Sequence, residues 1–450
     1  MASATEQLAR QFNWGAFGKA KDLKSRILFT LGALLVYRLG THIPLPGVNP
    51  EILAGIFAQK SSSSGILGMF DMFSGGALQR MAIFALNIMP YISASIIVQL
   101  MGSVIPAMEQ LKKEGEIGRK KMNQYTRYLT VLLAAIQGYG IAVGLENMTG
   151  SQGSAVFDPG MFFRVTAVVT LVGGTVFLMW LGEQITARGI GNGTSMIIFA
   201  GIVARLPEAL VQTLELGKTG AISTAVILLI IVMIVAVIAF IVFMERAQRR
   251  ILVQYPKRQV GQKIFGGEST HLPLKLNTAG VIPPIFASSL LLLPMTIVGF
   301  SGNNSTGVMA NIARYIQHGQ PLYMALYGAL IIFFCFFYTS LVFNPKETAE
   351  NLRKAGGFVP GMKPGKNTSD YLMFVLNRIT VIGAAYITFI CLLPEFMMAK
   401  FNVPFYLGGT GLLIAVTVTM DTVAQIHSYL IAHQYEGLMR KTRQKGSRRK

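Results

Sequence analysis

Apolar runs of about twenty residues recur along this chain and constrain its fold more than any other feature, because a run of that length crosses roughly 30 Å of hydrocarbon as a helix. Nine are plain: Ile27 to Ile43, Ile83 to Ile105, Tyr125 to Val143, Met161 to Leu181, Ile222 to Met244, Ala279 to Phe300, Leu322 to Phe343, Ile379 to Met398 and Phe405 to Ile426. A tenth, Ser195 to Val211, is interrupted in its second half by Arg205, Pro207 and Glu208. Composition agrees, since 52% of the 450 residues are apolar and only 13% charged, about half the charged share of a soluble domain. The reading is an all-α membrane protein, which displaces the two or three soluble domains that length alone suggests.

Charge decides the tenth run. With ten spans, the segments on the N-terminal side carry 32 of the 40 Lys and Arg and leave 8 for the other face. Dropping the weak run throws the last three basic clusters to the opposite side. Both termini are therefore expected in the cytoplasm, and most of the net charge of +20 is topological. The expected organisation is a cytoplasmic segment 1–26, a first five-span half over 27–211, a second over 222–428 with cytoplasmic loops 245–277 and 344–378, and a basic tail 429–450. Basic residues ahead of the first run invite a signal-peptide reading. The run is span length, however, and ends in Ile43-Pro44-Leu45-Pro46-Gly47 without a small-residue cleavage pattern, so it reads as a retained first span. Cys335 and Cys391 both sit in apolar runs, as packing thiols do, rather than in a disulfide or metal pattern.

Between the first two spans, Thr41 to Met81 ends in Ser61-Ser62-Ser63-Ser64-Gly65-Ile66-Leu67-Gly68-Met69-Phe70-Asp71-Met72-Phe73-Ser74-Gly75-Gly76. Its apolar middle, bracketed by glycines, is too short to span. It reads as a re-entrant half-helix over about residues 66–76, which implies a cavity around it; a helix lying flat on the outer leaflet is the alternative. Two spans also echo each other, Met89-Pro90-Tyr91-Ile92-Ser93-Ala94-Ser95 in the second and Ile282-Pro283-Pro284-Ile285-Phe286-Ala287-Ser288 in the seventh. Their places correspond in two five-span halves, and because five is odd the second half would run inverted. The prolines are expected to soften both helices where a gate would flex.

Catalytic patterns are poor. His-Glu-x-x-His and Gly-x-Ser-x-Gly are absent from the sequence, and Gly299-Phe300-Ser301-Gly302 lies at the outer end of the seventh span, a bilayer away from His427 and related otherwise only to the loop residue His318. A plain turn explains it better. Gly189-Ile190-Gly191-Asn192-Gly193 follows a span instead of a strand and reads as a flexible lead into a helix. Ion-coupled transport leaves acids or histidines deep in the membrane, whereas the charges here sit toward span ends, at Arg38, Arg80 and Asp421. The deep amides Asn87, Gln99, Gln137 and Asn277 suit interhelical hydrogen bonds. No metal or cofactor is expected.

What remains is a pathway without side-chain ligands, suited to a polymer of arbitrary sequence: a narrow aliphatic collar dewets when empty and yields when filled. The two basic loops are longer than tight connections need and read as docking surfaces, with Arg246, Arg249, Arg250, Lys257 and Arg258 in one and Arg353, Lys354 and Lys363 in the other. Topology alone also explains such charges. The basic tail could meet anionic lipid or ribosomal RNA phosphates.

On these residues the chain resembles the SecY family, the channel subunits of bacterial Sec protein translocases, along its whole length and most closely the gammaproteobacterial members. The resemblance rests on Met72-Phe73-Ser74-Gly75-Gly76-Ala77-Leu78, Ile88-Met89-Pro90-Tyr91-Ile92-Ser93, Lys112-Lys113-Glu114-Gly115-Glu116, Trp180-Leu181-Gly182-Glu183-Gln184, Gly189-Ile190-Gly191-Asn192-Gly193, Ser269-Thr270-His271-Leu272-Pro273-Leu274-Lys275 and Val403-Pro404-Phe405-Tyr406. It implies two inverted five-helix halves around an hourglass channel in the bacterial inner membrane, without catalytic activity. It further implies a plug helix including Leu67, Met69, Phe70, Met72, Phe73 and Ser74, and a lateral gate between the second and seventh spans at Pro90, Ser93, Ser95, Pro283, Pro284 and Ser288. The implied constriction is Ile88, Ile92, Ile198, Ile285 and Ile414, with Thr194 where relatives carry isoleucine. That departure implies a more polar wall and leaves the tightness of the resting seal open. Lys363 stands where the family usually has arginine, and the two are unequal at a bidentate contact. Implied partners are SecE and SecG, SecA, the ribosome, SecDF and YidC, unfolded secretory and membrane-protein clients, and anionic lipids. The competing readings are a secondary transporter with inverted repeats and an intramembrane protease on Ser301.

Overall fold

The computed structural model describes residues 21–53, 55, 74–146, 149–150, 153–219, 224–255, 258–260, 263–265, 269–300, 320–401 and 409–447. Within these, a helix occupies each apolar run. The first run forms α1 (Lys21–Gly40) and the second forms α2 (Met89–Val104). The next two form α4 (Glu116–Glu146) and α5 (Met161–Arg188), and the interrupted one forms α6 (Gly193–Lys218). The later runs form α7 (Thr224–Arg246), α8 (Ile282–Phe300), α9 (Pro321–Val342), α11 (Lys366–Phe401) and α12 (Gly409–Ser447). Among the described residues seven helices are long and apolar enough to cross a membrane, α6 included, and an eighth is obtained if α2 is joined to α3 (Pro106–Lys113) across a bend of 102°. Pro106 explains that bend. The residue before a proline is pushed out of the helical region, and Ile105 is extended at φ −95°, ψ 118°.

Many large apolar side chains face outward, for example Leu228, Val232 and Phe243 on α7, as expected of a chain whose solvent is lipid. The main buried cluster draws on α1, α2, α5, α6, α7, α8, α9, α11 and α12. Packing partners follow a pattern: α2 lies on α4, α4 on α5, α5 on α6 and α6 on α1, while α8 lies on α9, α9 on α11, α11 on α12 and α12 on α7. Between these groups, α2 meets α8 and α6 meets α12.

The start of the second run departs from expectation. Residues 83–88 are turns, and the helix begins at Met89 with Pro90 in its first turn. Pro283 and Pro284 likewise fall in the first turn of α8. At these positions the missing N–H has no intrahelical partner to lose, so the prolines start the two helices rather than weakening their middles.

The basic loops are folded. In the first, β3 (Gln248–Gln254) pairs antiparallel with β6 (Ser269–Lys275), joining Gln248 to Lys275 and Gln254 to Ser269. A smaller ladder, β4 (Arg258–Val260) with β5 (Lys263–Phe265), lies between them; the short β1 (Thr149–Gly150) and β2 (Gly153–Ser154) pair elsewhere. In the second loop Asn344 caps α10 (Pro345–Lys354) by accepting from the Lys346 and Glu347 amides.

Candidate functional site

Ile88, just before α2, and Ile92, Ile198, Ile285 and Ile414, on α2, α6, α8 and α12, all belong to the main buried cluster. Ile88 is 1% exposed and Ile92 8%; Ile88 stands just before the helix, and Ile92 N donates to its carbonyl at 3.1 Å, so the two lie one turn apart. Thr194 is half-buried, one turn before Ile198 on the same helix. The lead into that helix is set by the glycines: Asn192 caps it, accepting from the Thr194 and Ser195 amides, and a Cβ on Gly193 would overlap the carbonyl oxygen of Gly182 on α5. The segment is a tight helix-on-helix crossing, not a loose linker. Metal-binding groups of His, Cys, Asp or Glu are absent among the described residues.

Beside the isoleucines, the first turns of α2 and α8 form a seam. Pro90, Ser93, Pro283, Pro284 and Ser288 are buried, and Ser95 is half-buried and accepts from the Gln99 amide at 3.3 Å. Ser288 and Ser289 turn their hydroxyls back onto the Ile285 carbonyl at 2.9 and 2.8 Å. Their hydroxyls are thus engaged within α8, and the two helices pack against each other along the seam.

Of the expected plug, Leu67, Met69, Phe70, Met72 and Phe73 lie outside the described residues, and Ser74 is buried. The chain that follows Ser74 is irregular but well satisfied. Tyr37 Oη donates to the Ser74 carbonyl at 3.3 Å and Arg38 to that of Gly75 at 2.8 Å. Ile83 N donates to Ile43 O at 3.0 Å and Leu45 N to Met81 O at 2.7 Å. Gly75 has φ +65° and lies directly against Gly201 of α6, where a side chain would meet both strain and overlap. Arg38, partnerless to the eye in sequence, therefore holds the stem of this segment.

The basic residues sit on a platform made from both loops. Ile251, Leu274, Ala349, Val359, Leu372 and Ile379 share a small core, and Gln254 and Phe358 exchange backbone hydrogen bonds at 2.9 Å in both directions. Arg246, Arg249, Arg250, Arg353, Lys354 and Lys363 are exposed. Lys354 pairs with Glu350, at 3.5 Å on its own helix. Arg258 lies on β4, and Lys257 lies outside the described residues, as do Ser301 and His318. Sequence reasoning did not foresee the hairpin or its junction with the second loop. The alternation Ile251, Val253 against exposed neighbours is the one local sign of a strand.

Cys335 and Cys391 are free, buried thiols. The amide Asn277 pairs across elements with Glu245 at 2.6 Å.

A family profile described as SecY matches residues 82–423. Protein translocase subunit SecY of Rickettsia conorii is 56% identical over 424 residues, 94% of this chain and 97% of that one. The SecY subunit of Escherichia coli strain K12 is 56% identical over 432 residues, 96% and 97% of the two chains. The gammaproteobacterial lean expected from the motifs is therefore not singled out by identity. A solved structure described as a protein conducting channel superposes at TM-score 0.65 with 19% identity, covering 90% of this chain and 92% of that one. Sec61 in the canine ribosome-channel complex superposes at 0.61 with 18% identity and the same coverage. With the profile covering most of the chain and identity above half along nearly all of it, this multi-pass membrane protein belongs to the SecY family.

Proposed function

We propose that the chain is the protein-conducting channel of the general secretory pathway, passing unfolded polypeptide across the bacterial inner membrane and releasing apolar segments sideways into lipid. The observation that carries this is the burial of Ile88, Ile92, Ile198, Ile285 and Ile414 in one cluster, beside the packed seam of α2 and α8. Branched aliphatics at a waist offer passing chain no hydrogen bond to stop on, and they exclude ions when the waist is empty. Ten spans in two inverted halves suit the packing pattern, in which the pairings α2–α4, α4–α5, α5–α6 and α6–α1 recur as α8–α9, α9–α11, α11–α12 and α12–α7. On this reading both termini and the basic platform face the cytoplasm, and SecE and SecG accompany the chain in the membrane. SecA or the ribosome docks through Arg246, Arg249, Arg250, Lys257, Arg258, Arg353, Lys354 and Lys363, while SecDF, YidC and anionic lipids are further partners. The segment around residues 66–76 plugs the outer side. The protein makes and breaks no covalent bond, so the driving energy comes from the partner.

A photoreactive group at position 92 or 285 should crosslink to a stalled secretory chain and not to a cytosolic protein of similar length. Failure at both positions, with crosslinks instead from lipid-facing Val232, would remove the pathway from this site.

A further inference from the structure

The loop between β6 and α8 carries a polar contact that the channel reading does not use. Asn277 is 5% exposed and its amide is fully engaged. Nδ2 donates to Glu245 Oε1 at 2.6 Å and to the Gly280 carbonyl at 3.2 Å, while Oδ1 accepts from Gly280 N at 2.9 Å. Gly280 has φ +65°, so the chain reverses tightly there, and two residues later α8 begins. On the other side of Asn277 the hairpin continues directly, with Leu276 N bonded to the Ala247 carbonyl at 3.0 Å. One amide thus joins three bodies: the end of α7 through Glu245, the platform through β6, and, through Gly280, the turn that leads into the seam helix, which bears Ile285.

A charge-assisted hydrogen bond to a half-buried carboxylate is strong for its size. At the α2–α8 seam the helices pack against each other, and the Ser288 and Ser289 hydroxyls bond back within α8. We propose that the Glu245–Asn277 bond is a latch that holds α8 in its closed seat, and that movement of the basic platform by a docked partner releases it. Asn277 and Glu245 are positioning residues for the gate; neither touches the passing chain. Packing suits this role as well. The α11 backbone at Gly383 leaves no room for a Cβ beside the Leu276 carbonyl, so the platform side of Asn277 is fixed against α11. A partner's push is then transmitted rather than absorbed.

This inference rests on the channel reading, and the test separates the two. Glu245→Ala removes the latch but leaves the Asn277–Gly280 turn whole; Glu245→Gln keeps an acceptor without the charge. In proteoliposomes, resting ion conductance and export are measured for one precursor with an intact signal segment and one with a shortened, less apolar signal. Glu245→Ala should raise resting conductance and export of the weak-signal precursor by about tenfold, with the intact precursor within about twofold. Glu245→Gln should fall between it and the parent, and decides the matter alone if the alanine chain fails to insert. Conductance and weak-signal export equal to the parent, or a parallel fall for both precursors, overturns the latch. A parent chain that exports neither precursor overturns the channel reading and the latch with it.

Discussion

Shaving the isoleucine waist should open an ion leak while the protein stays folded. Ile88→Ala, Ile92→Ala and Ile285→Ala each delete three carbons at a buried position, and such deletions destabilise by about 2–5 kcal/mol each. All three together approach the whole of a typical stability of about 5–15 kcal/mol, so the single variants are the informative ones. Each removes a volume close to that of about two to three waters. If, as proposed, this waist keeps ions out by dewetting rather than by a charged filter, admitting even a short file of water should raise the resting current several-fold in planar bilayers. The control comes from the same cluster. Ile331 and Ile387 are 0% exposed and pack in it from α9 and α11, outside the waist set, so Ile331→Ala and Ile387→Ala should cost comparable stability without a leak. Equal leak from both sets would mean that any cavity in the cluster conducts, and no leak from either would mean the waist is not the barrier; both results refute the reasoning.

Reversing Arg353→Glu and Lys354→Glu on the exposed face of α10 should lower partner-driven export at least several-fold while leaving the membrane orientation of the chain unchanged, as read by protease protection; normal export would return these charges to a purely topological role. Gly193→Ala puts a methyl where the Gly182 carbonyl lies and should cost about 1–3 kcal/mol as α5 and α6 are forced apart, with a lower thermal midpoint as the readout. An unchanged midpoint would show that the crossing has slack.

Much of this protein follows from order along the chain. Lipid leaves no water to satisfy a free backbone, so each apolar run had to become a helix, and each did, including the weak run broken by Arg205, Pro207 and Glu208. The spacing of Ile88 and Ile92 reads as one helix face in sequence; in the fold Ile88 precedes the helix and is held a turn from Ile92 by the Ile92 N to Ile88 O bond at 3.1 Å. Resemblance to a family added the other three isoleucines, whose place in the same buried cluster depends on helices far apart in sequence. Local pattern failed where hydrogen bonds close over long distances. The prolines of α2 and α8 looked like hinges within spans, yet they stand at helix starts; before Met89 the chain runs in single turns, Ala85 N to Ala82 O and Asn87 N to Phe84 O, and is tied to the end of the first span by Ile83 N to Ile43 O and Leu45 N to Met81 O. The two basic loops read as separate connections, and only the bonds between Gln254 and Phe358 and a core shared with α11 make them one platform. Asn277 could be recognised in sequence as an amide in need of a partner, but not matched with Glu245, thirty-two positions away. Hydrophobicity is a property each residue carries by itself and so can be read along a line; a partner for a buried polar group exists only once distant segments have been brought within about 3 Å, and that the folded chain alone decides.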